Sequence, residues 1–190
     1  TRSPVPGAYF DNRVFPLVTG DGRIVILSGP ETGTTIKHPD IRGGRRLLIC
    51  GTDGSIPADY LGPIVVGEDY YGFGNIALSP DDKYVYVTGL LTGRYAKRRK
   101  LANVVWRVPL DAPGDKPRGE VFIGKLMEGG AGKDRLNHPH GIATDKAGNI
   151  YVADHDNNRV VVFKSDGSYL DEIQIDQPGQ VRIHPKTGAI

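Results

Sequence analysis

Between residues 138 and 175, apolar and polar positions fall into four short runs separated by turn chemistry. Gly141-Ile142-Ala143-Thr144, Ile150-Tyr151-Val152-Ala153, Val160-Val161-Val162-Phe163 and the stretch from Tyr169 to Ile175 are each rich in β-branched, aromatic or small apolar residues. They are strand-length and far too short for helices. Asp145 to Asn149, His155 to Asn158 and Lys164 to Gly167 separate them. Asn and Gly accept a positive φ at little cost, so Gly148-Asn149 and Asn157-Asn158 predict tight hairpin turns. Four antiparallel strands in roughly 35 residues predict one blade of a β-propeller. The expected fold class is all-β.

The pattern recurs. Asn75 to Gly89 aligns without gaps on Gly141 to His155, and Asn103–Val108 and Glu120–Ile123 supply the third and fourth strands of that unit. Earlier, Val14–Thr19 and Ile24–Leu27 flank a Gly-Asp-Gly-Arg turn, and Arg45–Cys50 and Ile64–Val66 read as further strands. Gln180 to Ile190 restarts the repeat. The blade-like units are therefore 14–66, 74–123, 140–175 and the beginning of another at 180–190. Equivalent points Ile24, Tyr84, Ile150 and Ile190 lie 60, 66 and 40 residues apart, the last near the usual propeller spacing. A propeller closes with about 4–8 blades. Three to four blades predict an incomplete part of a larger ring, completed by further chain or by other subunits.

In such a meander the loop leading into strand one and the loop joining strands two and three share a face. That face gathers the candidate chemistry. Strand one is innermost, so Glu68-Asp69-Tyr70-Tyr71 and Asn137-His138-Pro139-His140 rim the channel, with Arg94 to Lys100 and Asp154-His155-Asp156 beside them. His138 and His140, two residues apart with Asp154 and His155 across the hairpin, are candidates to hold zinc or another divalent metal. Ordinary hydrogen bonding at a channel rim is the competing reading. Glu68 and Asp69 offer oxygen donors of the kind calcium prefers. Tyr70 and Tyr71 suit rim packing or a ligand platform. Arg94, Lys97, Arg98 and Arg99 belong to a basic insertion, suited to an acidic partner, to single-stranded RNA, or to plain solvation.

Pro139-His140-Gly141-Ile142-Ala143-Thr144-Asp145, Gly148-Asn149-Ile150-Tyr151-Val152-Ala153-Asp154 and Asn157-Asn158-Arg159-Val160 resemble the NHL repeat. Tyr84-Val85-Tyr86-Val87-Thr88 looks like the Tyr-Val-Thr-Asn propeller repeat. The resemblance implies a propeller scaffold that binds a protein or small-molecule ligand without catalysis, and an extracytoplasmic location. It also implies that Asp154 and Arg159 tie the hairpin together. The Pro-His-Gly-Ile segment is similar to a metal-binding segment of peptidyl-α-hydroxyglycine α-amidating lyases, which implies a metal-dependent lyase or hydrolase with His140 as ligand. The aligned positions Gly74 and Gly179 lack the imidazole that this family would place there. A third implication is RNA binding through the basic loop.

Composition narrows the rest. The 190 residues are 38% hydrophobic and 24% charged with a net charge of +2, so overall charge selects no anionic partner. Gly 26 and Pro 14 fit many short strands joined by turns. No apolar run approaches the roughly 20 residues of a membrane span. Cys50 is the sole cysteine, which excludes an intrachain disulfide and a thiolate zinc cluster, and its apolar surroundings predict a buried thiol. A Gly-x-Ser-x-Gly elbow, a phosphate-binding loop and a Cys-x-x-Cys-His haem site are all absent.

Overall fold

The computed structural model describes residues 16–28, 46–53, 75–89, 91–92, 100–110 and 119–190. Its first sheet has three strands in the order β1 (Leu17–Val18), β2 (Ile24–Ser28) and β3 (Arg46–Cys50). The second has β4 (Asn75–Leu78) and β5 (Tyr84–Thr88), then, after a two-stranded ribbon of β6 (Leu91–Thr92) and β7 (Lys100–Leu101), β8 (Val104–Pro109) and β9 (Glu120–Gly124). The third is β10 (Pro139–Thr144), β11 (Ile150–Asp154), β12 (Arg159–Phe163) and β13 (Tyr169–Gln174). Every pairing is antiparallel between neighbours, so the two complete sheets are four-stranded propeller blades.

Successive side chains on a strand point to opposite faces, and here both faces are covered. Val85 and Val87 of β5, with Val104, Trp106 and Val108 of β8, pack against Val25, Leu27, Leu47 and Ile49 of the first sheet. The intervening Tyr86 and Val105 turn the other way, onto Leu136, Ile142, Ile150, Val152, Val161 and Phe163. On the far face of the third blade, Ala153 and Val160 meet Val181. Continuous β-branched strands, rather than apolar–polar alternation, are therefore what this stack requires.

The same turn recurs at the start of each unit. A backbone N–H donates back across the loop from Thr19 to Arg23, Ser79 to Tyr84, Asp145 to Asn149 and His184 to Ala189. A left-handed residue serves each, at Gly22, Asp82, Gly148 and Gly188. The Gly148-Asn149 turn is thus a five-residue loop, Asp145–Asn149, in which Gly148 alone takes positive φ (88°). Asp145 closes it by accepting the Ala147 and Asn149 amides, both at 2.9 Å. The Asn157-Asn158 turn likewise differs from a two-residue hairpin. His155–Asn157 forms a short 3-10 turn and only Asn158 is left-handed (φ 54°). Residues 180–190 carry the turn of a further unit without a hydrogen-bonded strand. Ile64–Val66, expected as a strand, lies outside the described residues. Cys50 is buried, and burial pushes its thiol pKa up.

First strands lie side by side. The Thr144 hydroxyl of β10 donates to the Leu78 carbonyl of β4 at 2.6 Å, and the Thr88 hydroxyl donates to the His140 carbonyl. Gly141 allows the next unit an equally close approach: a Cβ there would stand 2.7 Å from both Gln180 Cα and Val181 N. Both neighbours are backbone and cannot swing aside. Gly141→Ala in the full-length protein is expected to lose about 1–3 kcal/mol of stability, read from urea denaturation. An unchanged midpoint would mean that the units are not seated against one another here.

Candidate metal centre

His138, His140 and His155 come together at the end of the third blade where β10 begins and β11 ends. Local backbone geometry delivers each ring. His138 is left-handed (φ 56°), and its N–H donates to Asn103 Oδ1 of the second blade at 3.0 Å. His140 sits where the β10–β11 register shifts between Pro139 and Ile142, an irregularity of the kind that re-aims a side chain. His155 opens the 3-10 turn after β11. One ligand nitrogen from each imidazole lies within 4.8 Å of the others. The rings of His140 and His155 stack with centroids 4.3 Å apart, and His138 stands edge-on to His140 at 4.3 Å.

Below the rings is a buried polar clamp. Asp154, with no exposed surface, accepts the Asn137 amide at 2.6 Å, Arg159 Nε at 2.9 Å and Asn157 Nδ2 at 2.8 Å. Arg159 also donates to Glu172 (2.7 Å) and to the carbonyls of Gly132 and Arg135. Asp154, expected on the ligand-facing surface, is therefore consumed inside the hairpin. With three hydrogen bonds and no exposed surface, its carboxylate is committed to the hairpin rather than turned toward a ligand.

The electrostatics suit a neutral donor set. Burial, reinforced by His138 and His155 and opposed by Asp156, pushes His140 down to about 4. His140 is thus an uncharged imidazole at pH 7, with a nitrogen lone pair available. Burial raises Asp156, but hydrogen bonding from His155 and the nearby His138 outweigh it, holding the carboxyl below its usual range.

Of the other candidates, Tyr70, Tyr71, Glu68, Asp69, Arg94, Lys97, Arg98 and Arg99 lie outside the described residues. His184 is part of its turn, its Nδ1 accepting the Thr187 amide at 3.2 Å. Asp156 was visible in the sequence only as a neighbour of His155. Its chemical signal, a carboxylate between two imidazoles, needs the folded hairpin to appear.

Residues 136–163 match the NHL repeat family. The chain is 28% identical over 155 residues to 6-deoxy-6-sulfogluconolactonase from Pseudomonas putida, covering 82% of this chain and 45% of that protein. It is 36% identical over 159 residues to the E3 ubiquitin-protein ligase TRIM71 of Bos taurus, covering 80% of this chain and 17% of that one. The chain thus spans less than half the length of these curated relatives. Among solved structures, a gluconolactonase from Xanthomonas campestris superposes with a TM-score of 0.54 at 18% identity, covering 88% of this chain and 49% of that one. The calcium-binding protein regucalcin from Agrobacterium tumefaciens gives 0.51 at 19%, covering 87% and 47%. Blades, neighbours and repeat agree on the class, a β-propeller. Within that class, the third blade carries an NHL repeat.

In the metal-free protein, the His140 ring is expected to titrate near pH 4 by NMR. Its folded value lies below the unfolded value of about 6.5, so the unfolded chain binds the extra proton first. Stability present above pH 6.5 is accordingly lost as pH falls toward 4. His140→Gln should flatten that slope in denaturation series. A midpoint near 6.5 would contradict the buried, neutral ring.

Proposed function

We propose that the protein binds a divalent transition-metal ion, zinc foremost, through His138, His140 and His155, and works as a metal-dependent lyase or hydrolase on a small molecule at this face. One observation carries the reading: three imidazole donors converge within 4.8 Å. Nitrogen donors suit zinc, whereas calcium takes oxygen ligands. Three protein ligands also leave a coordination position open, the pattern of catalytic rather than structural zinc sites. Tetrahedral ligands at about 2.1 Å from zinc stand roughly 3.4 Å apart. The rings must draw together somewhat on binding, and the partly exposed side chains of His138 (36%) and His155 (24%) have room to do so. A bound ion supplies Lewis-acid polarisation or an acidified water. His140, neutral and backed by the Thr88–carbonyl contact, holds its ring at the seam between blades.

The named lactonase activity of the Pseudomonas relative supports a hydrolytic version. The NHL repeat at residues 136–163 favours a second reading, a non-catalytic scaffold that binds a protein or small-molecule ligand on the same face. Metal content separates the two. Full-length protein purified without chelator is expected to carry close to one zinc per chain, lost in His140→Ala. Absence of metal from both would leave the scaffold, and calcium retained in both would move the site to carboxylates.

A further inference from the structure

We propose that Asp156 is the positioning residue of this centre, its carboxylate holding the rings of His155 and His138 so that both present Nε2 to a single ion. The inference rests on the metal reading above and concerns a residue outside the three donors. Asp156 Oδ1 lies 2.8 Å from His155 Nδ1 and 3.4 Å from His138 Nδ1, so one oxygen serves both rings. An ionised carboxylate can only accept, which requires the hydrogen of His155 to sit on Nδ1 and leaves the Nε2 lone pair free. Metal-bound histidines are held in this way by an outer carboxylate that fixes tautomer and ring orientation.

The placement of Asp156 is itself fixed from both loops. Its N–H donates to the Asn137 carbonyl at 3.2 Å, tying it to the segment that leads into β10. The next residue, Asn157, is anchored to Gly130 O and Asp154, each at 2.8 Å. Asp156 therefore joins the two loops that supply His138 and His155, and a rotation of its side chain would release both rings. Its 41% exposed side chain carries little packing, so its removal touches the rings rather than the core.

The test titrates full-length wild type, Asp156→Ala and Asp156→Asn with zinc in competition with a chromophoric chelator. NMR at pH 8 reads the tautomer of His155 in the metal-free forms. Asp156→Ala is expected to bind zinc about 10–100-fold more weakly and to lose the Nδ1–H preference, with an unchanged unfolding midpoint. Asp156→Asn keeps an acceptor oxygen and should fall between. Equal zinc affinity in wild type and Asp156→Ala would overturn the positioning role alone. A wild type that takes no zinc would overturn the metal reading, and this inference with it.

Discussion

The geometry of the site depends on the buried Asp154–Arg159 pair. Taking a carboxylate and a guanidinium out of water costs more than their attraction returns unless every remaining donor and lone pair is used. Here they are used. Arg159 reaches Asp154, Glu172 and two carbonyls, while Asp154 gathers amides from Asn137 and Asn157. The requirement for full satisfaction draws the 130–137 segment against the β11–β12 hairpin. His138 follows directly from one side of that clamp and His155 from the other. Two segments distant along the chain thus acquire a fixed separation, set by an ion pair that itself touches no ligand.

Blade stacking sets the second coordinate. Alternation along β5, β8, β11 and β12 buries both faces of the second and third sheets, so neighbouring blades share their cores. The seam between the second and third blades is then crossed by polar contacts at the site, Asn103 to the His138 amide and Thr88 to the His140 carbonyl. The centre is half-buried for the same reason, which keeps His140 uncharged and its nitrogen lone pair available.

Much of this was legible in the sequence. The β-branched runs and the Asx and Gly turns located blades two and three nearly to the residue, because a strand buried on both faces leaves few other choices of side chain. The rule that alternate loops share a face placed His138, His140 and His155 together. Asp154 was harder to read. A carboxylate beside a histidine suggests a ligand, while the repeat resemblance implies a tie to Arg159, and the buried pair decides for the tie. The 3-10 turn at His155–Asn157 was hidden because Asn-Asn satisfies several turn geometries alike. The role of Asp156 depends on a distance across the hairpin, which spacing alone does not encode.

X-ray absorption at the zinc edge of zinc-loaded, full-length protein tests the central claim most directly. The account predicts three imidazole nitrogens at about 2.0–2.1 Å, with the outer-shell scattering of intact rings and one further light ligand. A shell of oxygens without imidazole scattering would contradict it.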